Sequence, residues 1–284
     1  MMKTILFPTD FSENSNHAFR YAKTMARAKK AKLILLYVYN LPLVAPINAF
    51  TSREHTLGLI DHNLREAAQE HMKIYTDELD LMDDEYEVVI RDGYVADEIV
   101  NFCNREEINL IVMGTKGKSN HRDFLMGSTT AKVTQRTSIP LLAIPESAAI
   151  KAFSKIVFAT DLIYNSDNEL NKSIEFAQIN DATLTFLHLN IKGGEHPKEV
   201  QKLRDFIQQH SYKKLDLVVS DCKNVIDGLT AFLKDRDTDL LALSNHTKSL
   251  YEKLFHKSVT REMVLHSHIP LLIFSKKIHP IIFF

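Results

Sequence analysis

Short apolar runs alternate along this chain with longer stretches in which apolar residues recur every three or four positions. The runs lie near residues 3–9, 32–39, 85–91, 109–113 and 140–144, and again near 155–160, 182–189, 215–219, 239–243 and 270–274. Between the first two, Ala18, Ala22, Met25 and Ala26 share one helical face, as do Ala96, Ile99, Val100 and Cys103 after the third. Alternating strand and helix implies parallel sheets with helices on both faces and right-handed crossovers. In such sheets a ligand crevice forms at the carboxyl ends of the strands, where strand order reverses.

The pattern occurs twice. Lys155-Ile156-Val157-Phe158-Ala159-Thr160-Asp161 repeats Thr4-Ile5-Leu6-Phe7-Pro8-Thr9-Asp10 at 151 positions, and Ala182 to Asn190 repeats Ala31 to Tyr39. Later the offset is 130, where His268-Ile269-Pro270-Leu271-Leu272 repeats Ser138-Ile139-Pro140-Leu141-Leu142. The second copy therefore lacks a net 21 residues between its second and third strands. In the first copy that stretch holds Asn40 to Ser52, with Pro42 and Pro46, and a long polar helix from about Arg53 to Leu79. The expected organisation is a first domain at 1–147, a second at 153–277 and an apolar tail at 278–284, with the boundary near Glu146 to Phe153.

Three of only eight glycines cluster in Gly114-Thr115-Lys116-Gly117, nine further residues, then Gly127-Ser128. Leu110 to Met113 reads as a buried strand running into the first glycine, and Ser128-Thr129-Thr130 as a helix start. Glycine serves where backbone turns with positive φ or approaches a ligand closely. Strand, glycine loop and helix N-terminus together bind phosphate through free backbone N–H groups and the positive helix end. An ordinary P-loop is excluded, because its first glycine would fall at Val112, and the dinucleotide fingerprint is absent.

The spacing Gly-x2-Gly-x9-Gly-Ser resembles that of the nucleotide-binding members of the universal stress protein family. Ile5-Leu6-Phe7-Pro8-Thr9-Asp10-Phe11-Ser12 looks like that family's first strand and turn, Leu35 to Val38 like its second strand, and Ile139 to Ile144 like its last. The resemblance implies two tandem, doubly wound, parallel five-stranded sheets, Rossmann-like and similar to the adenine nucleotide alpha hydrolases. It implies a site for ATP (or ADP or AMP), with or without Mg2+. Pro8, Thr9 and Asp10 would lie by the ribose or base, and the backbone at Val38 by the adenine edge. Met113, Gly114, Lys116, Gly117, Gly127, Ser128, Thr129 and Thr130 would form the phosphate side. It further implies that paired domains pack through their last strands into a pseudo-dimer, here within one chain, with a homodimer left open.

Plainer readings stand beside these. Asp10 suits a cap on the first helix or its turn. Lys118 and Arg122 suit solvated loop charges. In the second copy Gly114, Gly117 and Gly127 become Ser244, Thr247 and Lys257, and only Ser128 keeps a counterpart, Ser258. Asp161 persists without a phosphate cradle, so one nucleotide per chain is expected, in the first copy.

Composition narrows the picture little. Hydrophobic residues at 45% and charged residues at 25% are those of an average globular protein, and a net charge of −1 gives no basic surplus for nucleic acid. No run approaches the roughly 18 apolar residues of a membrane helix, and two distant cysteines suit a reducing cytoplasm. His266-Ser267-His268, with His246 and His256, lacks zinc spacing, so no metal is assigned. Cys103 reads as core, and Cys222 as a loop residue before a helix, open to exposure. Asp123 is the only acid in the glycine loop, so no catalytic residue is named. The leading expectation is a cytoplasmic stress-response sensor or regulator that binds an adenine nucleotide and an unidentified protein partner. A slow ATPase or phosphotransferase, and a nucleotide-free interaction scaffold, are the alternatives.

Overall fold

The computed structural model describes residues 2–40, 53–78, 86–115, 127–160, 162, 166–191, 196–245 and 268–275. The first half runs β1 (Thr4–Thr9), α1 (Glu13–Lys29), β2 (Lys32–Tyr39), α2 (Arg53–Glu78), β3 (Tyr86–Asp92), α3 (Val95–Arg105), β4 (Leu110–Gly114), α4 (Ser128–Arg136) and β5 (Leu141–Ile144). The second half runs β6 (Lys155–Thr160), α5 (Asp167–Ile179), β7 (Thr183–Ile191), α6 (Pro197–Gln208), β8 (Leu215–Cys222), α7 (Val225–Asp235), β9 (Leu240–Asn245) and β10 (Leu271–Ser275). Strand bounds lie within a few residues of the apolar runs. The largest departure is Cys222, which ends a longer β8 and is half-buried rather than lying in a loop.

Among the described residues, ten strands form one sheet in the order β3-β2-β1-β4-β5-β10-β9-β6-β7-β8. Every pairing is parallel except that of β5 with β10, where the expected two sheets join edge to edge. There Leu142 pairs with Leu272, its own counterpart 130 positions on, and Leu141 and Ala143 pair with Ile273 and Leu271. A strand pair in which a residue faces its own equivalent has an approximate twofold axis through that pair. One face of the sheet is covered by α1, α2, α5 and α6, through residues such as Phe19, Met72, Ile174 and Leu203. The other is covered by α3, α4 and α7, through Ile99, Val133 and Leu229. Sheets with parallel strands need both faces covered, which is why inner strands such as β4, β5 and β10 are buried along their length rather than alternating.

The halves repeat several local features. Phe11 and Leu162 both take left-handed φ values of 59° and 66°, and Lys30 and Asp181 values of 52° and 53°, each pair 151 residues apart. In each half an acceptor at the start of the fourth strand holds the start of the first. Asn109 Oδ1 accepts from the Lys3 and Thr4 N–H groups at 2.8 and 2.9 Å. Asp239 Oδ2 accepts from the Ser154 and Lys155 N–H groups at 2.9 and 2.8 Å, and also from Ser154 Oγ at 2.6 Å.

Asp239 is buried and also pairs with Lys151. Burial would raise its pKa, but hydrogen bonds from Lys151, Ser154 and Lys155 outweigh it and hold the carboxyl below its ordinary 3.8. A depressed folded-state pKa contributes stability above the unfolded value, and loses it as pH falls through the folded value. Asp239→Ala is expected to cost about 1–3 kcal/mol in urea unfolding at pH 7, because it strands buried donors. Asp239→Asn, which copies Asn109, is expected to cost less, and its gap from wild type to close as pH falls below 4. A gap that persists unchanged into acid would refute the ionic contribution.

Candidate functional site

The crevice of the first half opens between the carboxyl ends of β1 and β4, where the strand order reverses. Its floor is shaped by one residue in the middle of the sheet. Thr4 directs both its N–H and its C=O toward the start of β4, so by strand alternation Leu6 and Pro8 face β4 as well. Proline has no N–H to give that neighbour. The β1–β4 pairing covers only Ile5 with Leu110 and Leu6 with Ile111. In the second half Ala159 stands in place of Pro8, and the β6–β9 pairing runs on through Ile156, Val157, Phe158 and Ala159. The two strands thus separate two residues earlier in the first half.

Past Pro8 the chain turns sharply under side-chain control. Thr9 is buried; its Oγ1 lies 3.0 Å from Ser15 Oγ and accepts the Phe11 N–H at 3.1 Å. Asp10 Oδ1 accepts from Ser12 N at 3.1 Å and Ser12 Oγ at 2.6 Å. Ser12 in turn caps α1 by accepting from the Ser15 N–H. One oxygen of Asp10 therefore holds the turn, in line with its plainer reading, and the residue stays half-buried at the mouth. The left-handed Phe11 is kept in place by its ring, 4.6 Å from Tyr37 and 5.1 Å from Tyr75. Burial pushes the Tyr75 hydroxyl up to about 12. The hydroxyl lies buried beside the Thr9 and Ser15 side chains, whose hydrogen bonding offsets part of that rise.

Opposite, β4 ends at Gly114. A Cβ there would lie 2.8 Å from Asn14 Nδ2 and 3.2 Å from the Asn14 carbonyl, so this glycine admits the first turn of α1. It is needed for packing within the protein, and not for left-handed backbone. Thr115 and Gly127 close the neck of the intervening loop, with the Gly127 N–H donating to Thr115 O at 2.5 Å. Lys116 and Gly117, with Lys118, Arg122 and Asp123, lie outside the described residues.

Gly127 is the N-cap of α4, at φ −57° and ψ 153°, a conformation open to any residue, and no side chain caps the helix. Ser, Thr, Asp or Asn would cap it better. The first N–H groups of a helix have no partner within it; that of the half-buried Gly127 is taken by Thr115 O, and the next belongs to an exposed Ser128. Thr129 is half-buried beside them. Thr130 is buried, and its hydroxyl is committed to Gly114 O at 3.1 Å, which ties α4 to the end of β4.

On the far side of β1, β2 outlasts its neighbour. Its pairing with β1 stops at Tyr37, while Val38 and Tyr39 pair only with Arg91 and Asp92 of β3. Met113 and Val38 are buried on the face that α3 and α4 cover. The structure thus gathers Pro8, Thr9, Asp10, Met113, Gly114 and Gly127 to Thr130 around one mouth, with Val38 beyond β1. Asn14 was missed from sequence, since only the fold reveals that it fills the space over Gly114. Asp161 and the residues that replace Gly117 and Gly127 in the second half also lie outside the described residues.

Among the described residues no three His, Cys, Asp or Glu side chains gather to hold a metal ion. His246, His256 and His266 lie outside them. Burial raises the Cys103 thiol to about 12 and raises Cys222 as well, so neither is activated as a nucleophile. Among the described residues no helix is long and apolar enough to cross a membrane.

The sequence model of the Universal stress protein family matches residues 1–145. Universal stress protein MJ0577 of Methanocaldococcus jannaschii is 29% identical over 154 residues, covering 51% of this chain and 95% of the relative. Universal stress protein MJ0531 of the same organism is 32% identical over 148 residues, covering 51% and 82%. The crystal structure of a universal stress protein from Archaeoglobus fulgidus covers 97% of this chain and 99% of its own at a TM-score of 0.69 and 16% identity, a likeness of fold alone.

Two substitutions test how the mouth is built. Gly114→Ala is expected to destabilise the fold by about 1–3 kcal/mol in urea titration, and Asn14→Ala in the same chain to recover part of the loss. Pro8→Ala restores the missing donor, so the β1–β4 ladder should lengthen as it does beside Ala159. Slower amide exchange at the end of β1 would report this, and unchanged exchange would count against proline as the cause.

Proposed function

The chain belongs to the universal stress protein family, and we propose that its first half binds one adenine nucleotide and acts through that occupancy as a stress-response sensor or regulator. The carrying observation is the bare N-terminus of α4 at the mouth. Gly127 has a backbone that any residue could adopt, yet it is the residue with no side chain to cap the helix or block approach. An anion there meets the N–H groups of the first turn, which have no partner within the helix, and the positive end of the helix dipole. Hydrogen bonds to a charged group contribute on the order of 1.5–3 kcal/mol each, so a few support micromolar affinity.

In this reading the phosphates lie against Gly127, Ser128 and Thr129, with Gly117 and Lys116 of the loop beside them. Thr130 contributes by anchoring the helix, since its hydroxyl is already committed. The ribose and base lie toward Asp10 and the Val38 end of β2, in the gap that Pro8 leaves between β1 and β4. ATP, ADP and AMP all suit this arrangement, with Mg2+ as a companion of the polyphosphate.

We read the chain as two tandem units, residues 1–147 and 153–277, that pair as a pseudo-dimer through β5 and β10. The second unit has Ala159 and a longer β6–β9 ladder where the first opens, and Ser244 in place of Gly114. It is therefore read as the silent, structural member. Turnover is not part of the proposal, because no base or metal set stands beside the helix end among the described residues.

Gly127→Val should lose nucleotide affinity by at least tenfold in calorimetry while keeping a cooperative thermal transition. Asp161→Ala should leave affinity and a stoichiometry of one per chain unchanged. Normal binding by Gly127→Val would remove the phosphate assignment, and lost binding by Asp161→Ala would show the second unit to be active.

A further inference from the structure

Strand β3 is an outer edge of the sheet, and among the described residues no strand pairs with its outer side. The direction of its backbone groups follows from one hydrogen bond. The Gly93 N–H donates to Tyr39 O at 2.9 Å, so Gly93 turns toward β2. By strand alternation Glu87, Val89 and Arg91 turn toward β2 as well, while Tyr86, Val88, Ile90 and Asp92 turn their N–H and C=O groups outward. Val88 is 39% exposed, although it is a large apolar residue within the strand. On the opposite face Val89 is buried, and Glu87 and Arg91 flank it in solvent.

Laid antiparallel against a second copy of itself about Val89, this strand matches at every position. Val88 meets Ile90, and Tyr86 meets Asp92, as hydrogen-bonded pairs, because all of these turn their backbone groups outward. Glu87 meets Arg91 on both sides of the axis, in non-hydrogen-bonded positions where side chains lie closest. Val89 meets Val89 on the axis itself. The exposed Val88 thereby gains an apolar partner. Glu87 already holds Lys32 through Oε2, which leaves Oε1 to accept from the arginine. Among the described residues Arg91 has no ion pair.

The other outer edge offers no such match. The charged residues of β8 are Asp216 and Asp221, both acidic, and Asn190 Nδ2 already donates to Asp221 at 2.9 Å. A β8–β8 contact therefore makes no ion pair. A β3–β8 contact makes one at most, through Arg91, and being head-to-tail it does not close. Charges on an edge strand ordinarily discourage pairing. On β3 their signs are arranged so that one register is admitted.

We propose that β3 is the docking edge for a second copy of this chain, joined antiparallel about Val89 in a twofold dimer whose sheet continues through both molecules. Two Glu87–Arg91 pairs fix its register. The interface stands beyond β2 from the mouth beside β1, and it rests on nothing in the nucleotide reading.

Sedimentation velocity of the full-length protein is expected to show a dimer that grows with concentration and stops at two copies. Arg91→Glu alone and Glu87→Arg alone each make both pairs repulsive. Either should weaken dimerisation by roughly tenfold or more while keeping a cooperative thermal transition. Mixed in equal amounts, the two variants again set opposite charges in register and should form a one-to-one dimer. Amide exchange at Val88 and Ile90 should slow with concentration in the wild type, since their N–H groups enter the new ladder. A wild type that stays monomeric would overturn the proposal, as would a dimer that both variants keep. A mixture that stays monomeric would remove the Glu87–Arg91 register and the proposal with it. Species that grow beyond the dimer would point to head-to-tail pairing with β8 and equally overturn it.

Discussion

The pairing of β5 with β10 is the constraint on which the rest of the molecule depends. Both strands are buried throughout, from Leu141 to Ile144 and from Leu271 to Ser275. Neither could serve as a solvent-facing edge, since an exposed apolar edge strand seeks another strand. Each half solves the other's problem by presenting the same strand in the opposite direction. That pairing sets the twofold, and the twofold puts α1 and α5 on one face. It also leaves as outer edges β3 and β8, which carry exposed charged residues such as Glu87, Arg91, Asp216 and Asp221.

Within this near-symmetric frame, the two mouths differ where symmetry fails. The turn after the first strand is built alike in both halves, with Thr9 and Thr160 each accepting the N–H of a left-handed residue two positions on. The difference lies one residue earlier. Pro8 withholds a donor that Ala159 supplies, and a parallel ladder that loses a donor in its middle stops there. One missing N–H group thereby separates two strands at the switch point of one half and leaves them joined in the other.

The α4 helix links that mouth to the second half. Its Thr130 hydroxyl holds Gly114 O, its Thr134 hydroxyl holds Thr130 O at 2.7 Å, and Thr134 O accepts from Asn245 Nδ2 at 3.2 Å and Ser275 Oγ at 2.7 Å. The helix is therefore anchored at both ends, on β4 and on the ends of β9 and β10. A rigid, uncapped N-terminus is a better-organised anion site than a frayed one, because less ordering remains to be done on binding.

Much was legible in the sequence. Apolar runs marked all ten strands, and the spacing of Ala18, Ala22, Met25 and Ala26 marked the buried face of α1, because burial imposes a period that local sequence must obey. The 151-residue offset likewise recurs in left-handed backbone at Phe11 and Leu162. The glycine spacing pointed to this same mouth, but for partly different reasons. Gly114 is small because Asn14 occupies the space over it, and Gly127 has ordinary dihedrals, so neither turns the chain left-handed. No local pattern carries that information, since it depends on a helix packed across the sheet. Nor could sequence show that Pro8 faces β4, or that the last strands meet antiparallel with Leu142 opposite Leu272. Both depend on which neighbours each strand acquires, and neighbours are chosen by the packing of the whole chain.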